Sequence, residues 1–267
     1  MKVQGKVVVV TGAGSGMGRE LTLELIKRGA QVAAIDMRAE TLAETKALAD
    51  ALGGRVETFV VDITDAAHVA NLPREIGERM GAHIDAIINN AGIIQPFVKV
   101  NELSLEAAAR VMNVNFTGPL LMVKAFLPGL LAQPEAHILN VSSMGAYAPV
   151  PGQSVYGASK AAVKLFTEGL RSELLGTNVG VTVVFPGAIA TNIATNSGMD
   201  MPADAAESSK MKTTPAPVAA RAMVDAIEHN VPRICIGSDA KLMDRLSRLN
   251  PIFAANLIYK QMASLLK

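Results

Sequence analysis

Apolar and polar positions change in blocks along this chain. From Lys6 to Thr11 the run KVVVVT is continuous and β-branched, the pattern of a strand buried on both faces. A glycine cluster follows, and 17–28 then carries Leu21, Leu25 and Ile26 at helical spacing. The unit repeats, with QVAAID over 31–36 as a strand and 39–52 as an Ala- and Leu-rich helix closed by Gly53 and Gly54. Further strands are predicted over 56–62, 84–89, 137–143, 179–185 and 233–236. Helices over 66–80, 111–131, 155–175 and 217–229 separate them, with Pro73 inside the first and Pro128-Gly129 expected to end or kink the second early. Seven apolar strands alternating with helices predict one α/β domain, a doubly wound parallel sheet with helices on both faces.

Composition narrows the class. The chain has 267 residues, 50% of them hydrophobic and 18% charged, which is too apolar for disorder. A net charge of +1 gives no electrostatic footprint for nucleic acid. The single cysteine, Cys235, excludes an internal disulfide and a multi-cysteine metal site, and no metal is expected. No uninterrupted apolar run reaches the roughly 18 residues of a membrane span, and the start lacks a basic head and apolar body. A soluble, cytoplasmic protein is the expectation.

Candidate chemistry begins at the first turn, Thr11-Gly12-Ala13-Gly14-Ser15-Gly16-Met17-Gly18. Glycines there let the backbone turn sharply and approach a pyrophosphate held by helix N-terminal amides, although a tight β-to-α turn alone uses them too. The spacing is T-G-x-x-x-G-x-G on Gly12, Gly16 and Gly18, since Met17 stands where G-x-G-x-x-G needs glycine. Asp36 ends the second strand 18 residues beyond Gly18, where a carboxylate can bond both hydroxyls of an adenosine ribose or else cap the next helix. A carboxylate there repels a 2′-phosphate, favouring NAD over NADP; Arg38 could swing towards a phosphate.

Of three tyrosines, only Tyr156 has a lysine four residues later, Lys160, which stacks the two on one helix face. A nearby ammonium favours phenolate and should lower the tyrosine pKa, suiting proton exchange with a substrate oxygen. Alone, such a pair is as readily a surface contact. Here Asn140-Val141-Ser142-Ser143 ends the fifth strand upstream, preceded by Asn89-Asn90-Ala91-Gly92 and Asn113-Val114-Asn115-Phe116-Thr117-Gly118, and Pro186-Gly187-Ala188-Ile189-Ala190-Thr191 follows the sixth.

With these motifs in this order, the chain resembles the short-chain dehydrogenase/reductase family from Lys6 to about Ile236. The resemblance implies a Rossmann-type domain over 1–238, including a substrate lid at about 192–214, and the chain continues past it with an expected helical extension over 239–267. It implies Gly12, Ser15, Gly16 and Met17 around the pyrophosphate and adenosine, Asp36 on the ribose, and Asp62 and Ile63 flanking the adenine. Asn89, Ala91 and Gly92 would line the cofactor and steady the central strands. Lys160 would bond the nicotinamide ribose, with Tyr156 beside it, and Pro186, Gly187, Ile189 and Thr191 would hold the carboxamide end. Tyr156 would be the general acid/base, and Ser143, rather than Ser142, would position the carbonyl oxygen. Asn115 would hold a water linking Lys160 to solvent, leaving Asn113 structural; Asp65 is expected to cap a helix.

The implied activity is NAD(H)-dependent interconversion of a secondary alcohol and a ketone on a hydrophobic small molecule. Ile93, Ile94, Met144, Tyr147 and Val155 are the expected substrate walls, with Met199, Met201 and Met211 in the lid. An NADPH-dependent 3-oxoacyl-(carrier protein) reductase is the alternative, disfavoured by Asp36 and by few basic residues near Gln133 and Thr177. A regulator without turnover is disfavoured by retention of Asn115, Ser143, Tyr156 and Lys160. The tail's apolar spacing and Pro251 predict two amphipathic helices. They could pack on their own core or a neighbouring subunit, cover the pocket, or, least expected, touch a membrane surface. The family also implies a homodimer or homotetramer through the helices at 111–131 and 155–175.

Overall fold

The computed structural model describes residues 1–191, 193–198 and 213–262. Strand β1 (Val7–Thr11) is buried at every position because both of its faces are covered. Val8 and Val10 join one core layer and Val7 and Val9 the other, as the two-residue period of a strand requires. Around it stand β2 (Gln31–Asp36), β3 (Val56–Val60), β4 (Ala86–Asn89), β5 (Ala136–Val141) and β6 (Val179–Pro186). A two-residue ladder follows, β7 (Ile189–Ala190) with β8 (Thr214–Pro215), and then β9 (Arg233–Ile236). The main sheet has the order β3-β2-β1-β4-β5-β6-β9, and every neighbouring pair is parallel. The predicted doubly wound sheet is therefore present. Its order reverses between β1 and β4, the place where such sheets open a crevice at their carboxyl ends.

Helices α1 (Gly16–Lys27) and α2 (Ala39–Asp50) cover one face, and α3 (Ala66–Met80) the other. Leu21, Leu25 and Leu42 pack on the Val8 side, while Leu72 and Ile76 pack on the Val9 side. Asp65 caps α3 by accepting from the Ala67 and His68 amides, each at 3.0 Å. Two strands end earlier than predicted, releasing Val61 and Asp62 after β3 and Ser142 and Ser143 after β5. That release places Val61 and Asp62 at the crevice, while Ser142 turns instead to the Lys160 carbonyl.

The helix predicted over 111–131 is longer and irregular. It starts as α4 (Leu105–Met112), capped by the Ser104 hydroxyl accepting from Ala107 N at 3.1 Å. It widens into a π-helical turn at Asn113–Thr117 and continues as α5 (Gly118–Leu131). Pro128 does not end it early, because so near the C-terminus the missing N–H deprives only the Lys124 carbonyl of a partner. Leu105–Leu131 is long and apolar enough to span a membrane by composition, but Met122, Val123, Phe126 and Leu130 are buried in the sheet-facing core, as in a core helix.

Helix α6 (Ser154–Glu173) packs on the same face, and the short α7 (Ile193–Asn196) lies beyond β7. Helix α8 (Ala216–Glu228) packs beside α1 through Met223, Val224 and Ile227. The tail forms two helices split at Pro251, α9 (Ser238–Leu249) and α10 (Pro251–Met262). Their Ala240, Met243, Ala254 and Ile258 are buried against Met144 and Ala148 of the same chain. Most of 192–214, including Met199, Met201 and Met211, lies outside the described residues.

Candidate active site

The turn after β1 is pressed against the end of β4. Thr11 Oγ1 accepts from the Asn90 and Ala91 amides at 3.1 and 3.0 Å, and Asn90 Nδ2 donates to the Thr11 carbonyl at 3.0 Å. Gly12 adopts φ +67°, and a Cβ on Gly18 would overlap the Gly12 carbonyl oxygen, so both positions require glycine. This geometry aims the N-terminus of α1 into a cavity of about 480 Å³. Gly12, Ser15, Gly16 and Met17 line one end, Asp36, Asp62 and Ile63 another, and Ala91, Gly92 and Thr191 lie along it.

The Asp36 carboxylate is anchored on both oxygens, accepting from Gly14 N at 3.0 Å and Arg38 N at 3.1 Å. The Arg38 guanidinium folds across the cavity, donating to Asn196 Oδ1 at 3.0 Å and Ser15 Oγ at 3.4 Å. Asp62 accepts from Thr64 N at 2.9 Å and from the Thr64 hydroxyl at 2.8 Å, which orients it at the cavity edge.

Ser143, Tyr156, Lys160 and Asn115 converge beyond the carboxyl end of β5. The Ser143 hydroxyl accepts from Gly145 N at 3.0 Å, and a side chain on Gly145 would meet both Ser143 Oγ and the Tyr156 ring at 3.4 Å. Neighbouring Ser142 is instead occupied, donating to the Lys160 carbonyl at 2.7 Å. Lys160 is 4% exposed and donates its Nζ to the Val141 carbonyl at 3.0 Å. Burial pushes the Lys160 ammonium down to about 8. A side chain on Gly92 would meet Lys160 Nζ at 3.1 Å and Asn115 Oδ1 at 3.2 Å, so the glycine lets these two groups approach one another.

Tyr156 departs from expectation. Burial raises its pKa, and the Ser143 hydroxyl offsets this only in part. The expected lowering by lysine is not seen. Lys160 Nζ lies 6.0 Å from the phenol ring centroid and is drawn to the Val141 carbonyl, so loss of solvent dominates.

The first turn of α6 is held from a distant segment. Gln95 is fully buried, and its Oε1 accepts from Val155 N at 2.8 Å and Tyr156 N at 3.0 Å. Its amide donates to the Gly152 carbonyl at 2.8 Å, and Gln153 donates back to the Gln95 carbonyl at 2.7 Å. The backbone that carries Tyr156 is thereby fixed before any ligand arrives.

This geometry has known counterparts. The short chain dehydrogenase family model matches residues 6–202. The oxidoreductase named SadH of Mycobacterium tuberculosis is 36% identical over 253 residues, 92% of this chain and 91% of that protein. A short chain dehydrogenase/reductase from Burkholderia phymatum in complex with NAD superposes with a TM-score of 0.84 at 27% identity, covering 94% of this chain and 98% of that one. A short chain dehydrogenase from Burkholderia cenocepacia in complex with NADP gives 0.81 at 30% identity, covering 97% and 99%. The chain is a short-chain dehydrogenase/reductase. It is an oxidoreductase of that family.

Several side chains of this dehydrogenase/reductase stand elsewhere than expected. Asn89 does not line the cavity; it is buried and donates to Asn140 Oδ1 at 2.8 Å, cross-linking β4 and β5. Pro186 and Gly187 close the sheet against Ile236, and Ile189 packs on the core in β7. Tyr147 is not a free substrate wall, because its hydroxyl donates to the Ala240 carbonyl at 2.9 Å, and Met144 lies beneath the tail helices. Asn113, expected to be structural, lines the cavity at the π-helical turn. Asn90, Asn196 and Gln95 were missed altogether. Only Asn90, inside the NNAG motif, carried a local signal; the others act through contacts remote in sequence.

Proposed function

We propose that the chain interconverts a secondary alcohol and a ketone on a hydrophobic small molecule, using NAD(H), with Tyr156 as general acid and base. The observation that carries the reading is the corner at the carboxyl edge of the sheet where Ser143 and the Tyr156 ring flank Gly145 and the buried Lys160 ammonium lies 6.0 Å from the phenol ring.

A nicotinamide dinucleotide fits the adjoining cavity. Its glycine cradle would be filled by any Cβ at Gly18, the α1 N-terminus suits a pyrophosphate, and Asn90 Oδ1 is buried at the cavity without a partner. When bound, it supplies or accepts the hydride. Asp36 takes the adenosine ribose hydroxyls and repels a 2′-phosphate, which favours NAD over NADP. Lys160 bonds the nicotinamide ribose, and the 186–191 loop holds the carboxamide end. Ser143 orients the carbonyl oxygen, and Tyr156, kept protonated by burial, gives it a proton during reduction. Asn115 holds the Ile93 backbone, beside which a water relays protons from Lys160 to solvent.

Ile93, Ile94 and Val155 give the substrate end apolar walls, which suits an uncharged ketone. Leu105 and Leu165 are 83% and 69% exposed on α4 and α6, which supports assembly as a homodimer or homotetramer through those helices. A cytoplasmic enzyme without nucleic-acid partner or metal completes the reading.

The test is a panel of ketones, secondary alcohols and a 3-oxoacyl thioester, followed by nicotinamide absorbance with NAD(H) and NADP(H) separately. NADH-linked reduction of an apolar ketone is expected. Turnover confined to the thioester with NADPH would establish the carrier-protein alternative, and nucleotide binding without any turnover would defeat the enzymatic reading.

A further inference from the structure

The first turn of α9 touches the two segments that flank the site, the turn after Ser143 and the loop that leads to Thr191. Asp239 reaches back across the end of β6, and its Oδ2 accepts from Ala188 N at 2.7 Å. Ala188 lies between Gly187 and Ile189, in the loop that runs into β7 and Thr191. A side chain on Gly187 or on Gly237 would overlap the Asp239 carboxylate, so two glycines clear the space it occupies. Gly237 adopts φ +100°, a turn that lets α9 start directly after β9. The Ala188 carbonyl accepts in turn from Thr214 N at 2.8 Å, so this residue is gripped on both sides.

The next residue of the same turn serves the opposite wall. Ala240 offers its carbonyl to the Tyr147 hydroxyl at 2.9 Å. Tyr147 ends the short 3-10 turn Met144–Ala146 that follows Ser143, and its ring lies 5.4 Å from Phe185. Burial raises the Tyr147 phenol above its usual range, so it remains a donor. Docking of the helix itself does not depend on these two contacts. Further along α9, Asp244 accepts two hydrogen bonds from Arg233, at 2.7 and 2.9 Å, and Arg233 stacks over Phe185 at 4.4 Å.

We propose that the first turn of α9 is a brace that sets the spacing between the serine turn and the 186–191 loop, with Asp239 and Tyr147 as positioning residues. The proposal rests on the oxidoreductase reading for what occupies the space between those walls. It gives the tail helices a function in the site: they fix the cofactor side through Asp239 and the substrate side through Tyr147.

The test uses the full chain and measures NADH and NADPH binding by fluorescence, kcat and KM for one accepted ketone, and the melting temperature. Asp239→Ala is expected to weaken binding of the preferred nucleotide about tenfold, the scale of one charge-assisted hydrogen bond. Asp239→Asn, whose amide oxygen can still accept from Ala188 N, should return binding to within about threefold of the parent. Tyr147→Phe should leave nucleotide binding unchanged while lowering kcat/KM for the ketone about tenfold. Asp239→Ala with parental nucleotide affinity and kcat/KM overturns the brace. So does an equal loss in Asp239→Ala and Asp239→Asn that merely follows a lowered melting temperature. A parent that binds neither nucleotide removes the oxidoreductase reading and the brace together, whereas a parent that binds and turns over leaves the variants to decide on the brace alone.

Discussion

Asn115 and Ile93 hold each other twice. The Asn115 Oδ1 accepts from the Ile93 amide and its Nδ2 donates to the Ile93 carbonyl, both at 2.9 Å, while Nδ2 also donates to Ser159 Oγ at 3.0 Å. The π-helical turn at Asn113–Thr117 holds this side chain at the edge of the site, in keeping with the frequent use of such bulges at functional sites. Asn115→Ala would leave both Ile93 backbone groups without these partners. A loss of about 3 kcal/mol in chemical unfolding and a fall in turnover are expected. A variant with parental stability and rate would show that the double contact is dispensable.

Tyr156→Phe removes one oxygen from a helix turn already fixed by Gln95. Nucleotide affinity should stay within about threefold while turnover drops by about 10²–10⁴, the usual contribution of a general acid or base. In the parent, the raised phenol pKa makes ketone reduction persist into alkaline pH and alcohol oxidation rise with pH. A pH–rate profile in which oxidation is fastest in acid contradicts this assignment.

Asp36→Ala removes the carboxylate that receives the Gly14 and Arg38 amides and leaves Arg38 over the cavity. The ratio of kcat/KM for NADH to that for NADPH should fall by at least about tenfold, since both a ribose contact and a repulsion disappear. An unchanged ratio would place the discrimination elsewhere.

His137 predicts an acid limit to stability. Its Nε2 meets Thr182 Oγ1 at 2.8 Å, and the Thr182 hydroxyl donates to the Val231 carbonyl at 2.7 Å, so the imidazole is the donor of the first bond. Burial, with the Met1 ammonium nearby, lowers its pKa to about 3 from 6.5. Between those values the unfolded chain takes up a proton that the folded one refuses, so stability falls as pH drops below 6.5. The slope is about 1.4 kcal/mol per pH unit over that window. Denaturant titrations at pH 7 and 4.5 should show His137→Gln losing less stability on acidification than the parent; equal losses would remove His137 as the cause.

What could be read from the sequence follows what is local. The elements Gln31–Asp36, Ala66–Met80 and Arg233–Ile236 begin and end where predicted. For Ala66–Met80 the reason is visible: Asp65 caps its start, and Gly81 ends it at φ +61°. Pro128 leaves its helix unbroken because it stands three residues from the helix end, a place that residue type alone does not reveal. The glycine turn and the order of the motifs were legible because each lies on one short segment. Arg38, Gln95 and Asp239 act on partners 158, 60 and 51 residues away, distances at which no spacing rule reports a contact. The Tyr147 hydroxyl contact is hidden for the same reason, since its partner Ala240 is 93 positions distant.

The pairing of Ile189 with Thr214 and Ala190 with Pro215 brings the chain back to where it left the catalytic frame. The excursion is closed at its base and tied back by Asn196, which donates to Ser15 Oγ at 2.9 Å and accepts from Arg38 at 3.0 Å. Doubling its length adds only about 0.6 kcal/mol of closure cost, so new lengths and compositions are cheap to sample there. The β7–β8 ladder is therefore a splice point: an exchange that spares Asn196 alters what lies between its strands and leaves Ser143, Tyr156 and Lys160 in place.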